Sequence, residues 1–203
     1  MNKIVKNTLI LSAITIVAGC LLGLVYEITK APIEQAQENA KQEAYKTVLA
    51  DAAEFTVDDT LDAAAAANVL QEAGYTGDDI AEVAKALDAS GAVMGYVITV
   101  TSHEGYGGDI KISVGILSDG TVKGIEMLEI SETAGLGMKA AEDDFKNQFK
   151  DKQVEKFSYT KSGEDGDDKI DALSGATITT NAVTNAVDCA LVYFQNVLGG
   201  SAQ

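Results

Sequence analysis

A run of twenty uncharged residues near the N-terminus constrains this chain more than any other feature. The run extends from Asn7 to Tyr26, and as a helix it would span roughly 30 Å, the thickness of the hydrocarbon core of a bilayer. Lys3 and Lys6 precede it, and Glu27 follows it. The positive-inside rule therefore predicts a short cytoplasmic N-terminus, a single crossing of the cell membrane, and an extracytoplasmic C-terminal domain.

Two alternatives for this segment are a cleaved signal peptide and a lipoprotein leader. Val17-Ala18-Gly19-Cys20 resembles a lipoprotein cleavage box in which Cys20 would carry the lipid. A cleaved leader usually has an apolar core of only about 7–15 residues, whereas the apolar run here continues past Cys20 to Val25. The sequence therefore favours a retained anchor in the lipid bilayer.

The charge and the rare residues of the remaining chain exclude several functions. After residue 6 there are 31 acidic residues against 13 lysines and no arginine, a formal charge of −18. A body this acidic repels phosphate backbones, so no nucleic-acid partner is expected. One histidine, His103, and two cysteines, Cys20 and Cys189, are too few for a site of several imidazoles, a cysteine-rich zinc site or a four-cysteine cluster. No metal site is predicted.

Hydrophobic periodicity predicts an α+β fold, in which a single transmembrane helix is followed by one domain with a small antiparallel sheet packed by helices. Residues 1–30 are expected to form the cytoplasmic stub and the anchor. Ala31-Pro32 should break or kink the chain before a helix that ends near Leu49. Two acidic helices are predicted between Asp58 and Gly91, so that residues 31–91 form a helical extracytoplasmic segment.

From Ala92 the apolar period changes to two, which is typical of strands. Residues 92–203 are therefore predicted to form one domain built on a sheet. Its strands are expected over residues 93–101, 110–116 and 121–130, with a tight turn at Asp119-Gly120. The elements predicted after them are a helix over 138–150, a short strand over 156–159 and a closing helix over 179–198.

Three glycine-rich motifs lie at junctions between these elements. Glycines let a backbone approach a flat ligand closely, and an aromatic ring beside them offers a stacking face. A helix N-terminus favours a phosphate group, although serine and threonine there can also act as simple caps. From the residues alone, a phosphate-bearing ligand and plain turn or cap roles both stay open. The motifs are Gly105-Tyr106-Gly107-Gly108, Glu132-Thr133-Ala134-Gly135-Leu136-Gly137 and Asp171-Ala172-Leu173-Ser174-Gly175-Ala176-Thr177.

The third motif carries a resemblance to a known family. Ser174-Gly175-Ala176-Thr177, with Asp171 three residues before Ser174, resembles the flavinylation motif of proteins that carry FMN covalently. The other two motifs match that family's FMN-binding domain in the same order. With the short N-terminus, the single anchor and the length of 203 residues, the chain is similar to the G subunits of the Rnf complex. That complex is a membrane electron-transfer chain linking ferredoxin and NAD to sodium or proton translocation.

The resemblance implies roles for individual residues. Thr177 would be the covalent attachment residue, joined to the phosphate of FMN by a flavin transferase that uses FAD and magnesium. Ser174, Gly175 and Ala176 would shape the acceptor loop, and Asp171 would be recognised or oriented during transfer. The residues expected along the flavin ring, with Tyr106 as a neighbour, are Glu132, Thr133, Gly135, Leu136 and Gly137.

One residue departs from the family pattern. Ala134 stands where the family usually has proline, so the second motif is expected to be less preorganised here. Among the motif residues Glu132 is a candidate for proton uptake, but a structural hydrogen-bonding role is favoured.

The function implied is electron relay within an ion-translocating oxidoreductase that does not turn over as an isolated subunit. No residue is expected to act as a catalytic acid or base. The partners implied are the other membrane and cytoplasmic subunits of the Rnf complex. The alternatives are a free-standing extracytoplasmic flavin reductase and the C-type subunit of the sodium-translocating quinone reductase, which is typically longer.

Overall fold

A computed structural model describes residues 2–199, and its contacts divide the chain into two compact units between Lys41 and Gln42. Helix α1, Lys3–Val48, forms the first unit as far as Lys41, and its last turns, from Gln42 onward, belong to the second unit. Within residues 2–199, α1 is the one helix whose length and apolar composition suit a membrane crossing. The predicted N-terminal helix of membrane-spanning length is therefore confirmed.

A break or a kink was predicted at Ala31-Pro32. The break is wrong, because α1 continues through Pro32, and the kink stays a prediction. Proline removes one intrahelical hydrogen bond and crowds the carbonyl group four residues earlier, which is that of Ile28. Ile28 is exposed, so water can bond the carbonyl group that proline leaves without a donor. The helix therefore tolerates Pro32 just beyond its apolar segment.

The second unit consists of a five-stranded antiparallel sheet, a two-stranded parallel sheet and helices. The strands of the large sheet lie in the order β1-β2-β3-β4-β5, and the small sheet pairs β6 with β7. This arrangement confirms the predicted α+β class. Its elements are β1 Glu54–Val57, α2 Ala63–Glu72, β2 Asp78–Leu87, β3 Val93–Ser102, β4 Ile110–Leu117, β5 Val122–Glu129, α3 Asp143–Lys146, β6 Ser158–Thr160, β7 Lys169–Asp171 and α4 Thr177–Val197.

The large sheet buries both faces. On one face it packs against α4, where the rings of Tyr96 and Phe194 meet at 6.0 Å between centroids. On the other face the end of α1 contributes Tyr45 and Val48 to a second apolar cluster. A Cβ atom at Gly115 would lie 2.7 Å from the carbonyl oxygen of Val48, so glycine is needed for this close approach.

The strands over residues 93–101, 110–116 and 121–130 and the turn at Asp119-Gly120 are confirmed as β3, β4, β5 and their connection. The first acidic helix is also present, as α2 with Asp62 as its N-cap. The second acidic helix is wrong, because residues 78–87 form β2 in the middle of the sheet.

A β-bulge explains the error at β2. The register shifts between Ile80 and Glu82, so the buried positions change phase along the strand. Burial then falls on Asp78, Ile80, Val83, Ala84 and Ala86, a spacing that imitates the period of a helix. Neither β1 nor β7 was predicted. The division at residues 30/31 and 91/92 stays a prediction of domain organisation.

The helix predicted over residues 138–150 is wrong as one element. Two 3₁₀ turns, Gly137–Ala141 and Asn147–Phe149, flank the single turn of α3. Ala140 and Phe145 are both buried, yet a straight helix would place side chains five residues apart about 140° from each other. The break at Glu142, whose backbone is extended, allows both side chains to reach the core.

The aspartate Asp188 lies in the core on α4. It is 1% exposed and accepts hydrogen bonds from the Phe157 N–H at 2.7 Å and the Tyr75 hydroxyl at 3.2 Å. Burial raises the pKa of Asp188 to about 7, because loss of hydration disfavours the charged form more than these bonds favour it. The folded domain therefore holds a proton that an unfolded chain releases near pH 4.

We expect Asp188→Asn to flatten the dependence of stability on pH. The raised pKa of Asp188 stabilises the fold fully below pH 4, and this stabilisation is lost as the pH rises through about 7. The free energy of unfolding changes by about 4 kcal/mol at most. Thermal unfolding of the detergent-solubilised chain at pH 5 and pH 8 measures this change. The exposed-site variant Asp165→Asn is the control, and equal pH dependence in all three proteins would contradict the assignment.

Candidate functional site

The three glycine-rich motifs, which lie far apart in the sequence, meet at one cavity of about 530 Å³. The volume lies within the range of about 300–1,000 Å³ that is usual for small-molecule sites. The lining residues are Tyr106, Glu132, Thr133, Leu136, Gly137, Gly175, Ala176, Thr177, Ile178 and Thr179.

Glu132, in the second motif, connects the first motif to the first turn of α4 through the two oxygens of its carboxylate. Oε1 accepts a hydrogen bond from the backbone N–H of Gly107 at 3.0 Å. Oε2 accepts a hydrogen bond from the hydroxyl of Thr179 at 3.0 Å, and Glu132 is only 8% exposed. Because each oxygen is engaged by a different segment, the contacts support a structural role for this carboxylate.

The first motif forms a loop between β3 and β4 that lies against the second. A Cβ atom at Gly107 would collide with the carbonyl oxygen of Ser131, so only glycine permits this approach. Tyr106 is 71% exposed and presents its ring at the cavity. The loop therefore contributes an aromatic surface and one backbone donor, which Glu132 already holds.

His103 ties the base of this loop to β2. Its Nδ1 lies 2.9 Å from Asp109 Oδ1, and its Nε2 lies 3.0 Å from Asp79 Oδ2. Hydrogen bonds to these two carboxylates raise the pKa of His103. Only the imidazolium form can donate to both carboxylates at once, so protonated His103 connects Asp79 on β2 to Asp109 at the end of the loop.

The second motif begins with a tight turn. The Leu136 N–H donates to the Thr133 carbonyl oxygen at 3.1 Å, and Gly135 has a positive φ of 75°. These are features of a type II turn, in which proline is common at the second position and glycine is needed at the third. Ala134 occupies that second position, and the turn forms without proline.

The third motif ends where α4 begins, with Ala176 as the N-cap residue and Thr177 as the first helical residue. Among residues 2–199, no side chain caps this end of the helix. The first backbone N–H groups of an α-helix lack intrahelical partners, and with the helix dipole they favour an anion. Thr177 lines the cavity beside these N–H groups, a position that suits a phosphate group.

Most of the predicted site residues line the cavity, but three do not. Gly135 and Ser174 are exposed in the turns beside it, and Asp171 lies at the end of β7. Two lining residues, Ile178 and Thr179, were not predicted as site residues. Both follow Thr177 directly in the first turn of α4, and this position in the sequence could have indicated that they line the site.

The residues present fit FMN. Tyr106, Leu136 and Ile178 supply aromatic and apolar surface suited to a flat ring system. The uncapped N-terminus of α4 supplies donors suited to a phosphate ester. Both kinds of surface line the same cavity, so the ring and the phosphate of one ligand can be held together.

The fold and the cavity define a flavin-binding protein, and comparison with known families agrees. Residues 105–192 match the model of the FMN-binding domain family, and residues 1–48 match the RnfG N-terminal region. The chain belongs to the RnfG family, the G subunits of ion-translocating oxidoreductase complexes.

Full-length relatives support this assignment. The chain is 34% identical to the G subunit of the ion-translocating oxidoreductase complex of Methanosarcina acetivorans, over 95% of this chain and 94% of that protein. It is 31% identical to the G subunit of the Na⁺-translocating ferredoxin:NAD⁺ oxidoreductase complex of Acetobacterium woodii, over 95% and 92% of the two chains. The G subunit of the proton-translocating ferredoxin:NAD⁺ oxidoreductase complex of Clostridium ljungdahlii is 30% identical, over 98% and 96%.

A solved structure shares the fold. The C subunit of the Na⁺-translocating NADH-quinone reductase of Parabacteroides distasonis superposes with a TM-score of 0.53 at 20% identity. The match covers 82% of this chain and 96% of that one. At this identity the similarity concerns the fold alone.

Proposed function

We propose that this chain is the membrane-anchored electron-transfer subunit of a ferredoxin:NAD oxidoreductase complex that couples electron flow to Na⁺ or H⁺ translocation, and that it carries FMN covalently on Thr177. The observation that carries the proposal is the meeting of three separate motifs at one cavity, with Thr177 at the uncapped start of α4. The relatives named for such complexes match this chain over nearly its full length.

The chain's own residues hold and orient the cofactor. The first-turn N–H groups of α4 would hold the phosphate of FMN, and Thr177 Oγ1 would carry that phosphate as a phosphoester. Tyr106 and Leu136 bound the space for the ring, while Glu132 keeps the first and second motifs against α4. When bound, FMN supplies one- and two-electron transfer. Attachment through the phosphate leaves the ring free for this chemistry.

The partners follow from the same proposal. A flavin transferase attaches FMN, with FAD as the donor and magnesium as the metal of that enzyme. Other membrane and cytoplasmic Rnf subunits supply the nicotinamide, iron–sulfur and ion-path chemistry, which a single flavin on one small domain cannot provide. Helix α1 holds the chain in the bilayer, with Lys3 and Lys6 in the cytoplasm and the acidic domain outside.

The presence of covalent FMN tests the function directly. The full chain, produced together with a flavin transferase and purified in detergent, should be yellow and heavier by one FMN in intact-mass analysis. Its band should fluoresce on a denaturing gel, since a covalent bond survives unfolding. A chain that releases all flavin on denaturation, or never binds it, would contradict the proposal.

The orientation is tested by labelling whole cells with a membrane-impermeant thiol reagent. The variant Asp165→Cys places a thiol on an exposed loop. Of the two native cysteines, Cys189 is buried in the core and Cys20 lies within the apolar run of α1, which the proposal places inside the bilayer. We expect Asp165→Cys to be labelled in intact cells and the unmodified chain to show little labelling. Labelling that requires cell lysis would reverse the proposed orientation.

A further inference from the structure

The acceptor loop is defined as residues 171–176: Asp171, the last residue of β7, and the five residues that join β7 to Thr177 at the start of α4. Gly175 has a positive φ of 76°, and Ala176, the N-cap residue of α4, has the non-helical angles φ −133° and ψ 48°. The backbone N–H and C=O groups of such a loop need hydrogen-bond partners, and partners outside the loop restrict its conformation. Two side chains outside the residues assigned to FMN above hold them, one at each end.

Thr180 holds the end of the loop next to α4. Its Oγ1 accepts a hydrogen bond from the Leu173 N–H at 3.0 Å and donates one to the Ala176 carbonyl oxygen at 3.0 Å. Thr180 is 0% exposed and does not line the cavity. One buried hydroxyl therefore fixes two points of the loop immediately before Thr177.

Gln148 holds the other end of the loop. Its Oε1 accepts a hydrogen bond from the Asp171 N–H at 2.6 Å, and its Nε2 lies 3.5 Å from the Asp171 carbonyl oxygen. The neighbouring Phe149 is fully buried and packs against Phe157 with 5.1 Å between ring centroids. Gln148 thus connects Asp171 to a segment that the core keeps in place.

We propose that Thr180 and Gln148 are positioning residues for flavin attachment, which act by holding the acceptor loop in the conformation that presents Thr177. In the attachment step Thr177 Oγ1 forms a bond to the phosphorus of the FMN half of FAD. The bond from that phosphorus to AMP breaks, AMP leaves, the hydroxyl proton goes to solvent, and no electrons are transferred. Both residues affect how often the Thr177 hydroxyl is correctly oriented toward the phosphorus. The attachment rate depends on this orientation.

The test follows attachment over time in the detergent-solubilised full chain, prepared without flavin and mixed with transferase, FAD and Mg²⁺. We expect Thr180→Val, which keeps the shape and removes the hydroxyl with both of its hydrogen bonds, to lower the attachment rate at least about tenfold. Thr180→Ser restores the hydroxyl and should stay within about twofold of wild type. Gln148→Leu should lower the rate about fivefold.

Matched controls separate positioning from general damage. Thr184→Val removes another buried hydroxyl one turn along α4, bonded to the Thr180 carbonyl oxygen. Gln153→Leu removes a glutamine that bonds a backbone carbonyl group at Asp119 instead of the loop. Both should react at the wild-type rate, and the KM for FAD should be unchanged in all variants, because FAD binds to the transferase.

The outcomes distinguish this inference from the proposed function on which it rests. A wild-type chain that accepts no flavin contradicts the function itself. A wild-type chain that accepts flavin, with Thr180→Val and Gln148→Leu as fast as their controls, overturns the positioning roles. If Thr180→Val fails to fold, as judged by circular dichroism, Gln148→Leu alone decides whether residues outside the cavity position the acceptor loop. Its hydrogen bonds to Asp171 lie at an exposed site, so their loss should leave the fold intact.

Discussion

Thr177→Val is expected to lose all covalent flavin and to keep its fold. Valine has nearly the shape of threonine and lacks only the nucleophilic oxygen. The N-cap of α4 is Ala176, so the substitution removes no helix cap, and the free energy of unfolding should change by only about 0.5 kcal/mol. Flavin fluorescence on a denaturing gel and intact mass measure the loss, and circular dichroism checks the fold.

Three further variants sharpen this result. Thr177→Ser retains the hydroxyl and should keep part of the covalent flavin, and Ser174→Ala should impair attachment less than Thr177→Val. Thr179 and Thr180 are the neighbouring hydroxyls, but both are buried and hydrogen-bonded within the fold. Undiminished covalent FMN in Thr177→Val, or a flavin-labelled peptide that maps to Thr179 or Thr180, would refute the assignment.

Glu132→Leu should destabilise the domain and disorganise the cavity. The substitution leaves the Gly107 N–H and the Thr179 hydroxyl without their shared acceptor at a buried position. Hydrogen bonds to a charged group contribute about 1.5–3 kcal/mol each, so the expected loss in the free energy of unfolding is about 3 kcal/mol. Thermal unfolding and the affinity for free FMN in a Thr177→Val background measure both effects.

Glu132→Gln is the matched control for this prediction. The amide keeps the size of the side chain and one carbonyl oxygen, so it can still accept from Gly107, and its NH₂ group can donate to the Thr179 oxygen. We expect a loss of only about 1 kcal/mol, similar to that of Thr179→Val, which removes one of the two bonds. Equal losses for Glu132→Leu and Glu132→Gln would show that Glu132 does not join the motifs.

Local sequence patterns were sufficient to predict the elements in which a single hydrophobic period or a single turn motif dominates. The membrane-length helix follows from an uninterrupted apolar run, and β4 follows from the alternation of Ile110, Ile112, Val114 and Ile116. The turn at Gly120 follows from the residue types that a positive φ requires. These features depend on neighbours in the sequence, so the sequence alone could reveal them.

Local patterns failed where tertiary contacts changed the period. The bulge in β2 gave a strand the spacing of a helix, and its place between β1 and β3 decided its structure. Residues 137–149 had helical composition, but burial of Ala140 and Phe145 from different directions broke the helix at Glu142. Pro32, expected to break α1, is accommodated because its neighbours are exposed.

The sequence by itself determined the chemistry available to this protein: a helix long and apolar enough to cross a membrane, an acidic body with one histidine and two cysteines, and three glycine-rich motifs of which one ends in Thr177. The tertiary structure decided that these motifs share one cavity, because antiparallel pairing of β3, β4 and β5 brings the first two loops beside the start of α4. It also decided the hydrogen-bond partners of Glu132, Thr180 and Gln148. Their hydrogen bonds join residues that no local pattern relates, since a side chain's partner across a fold depends on packing rather than on sequence spacing.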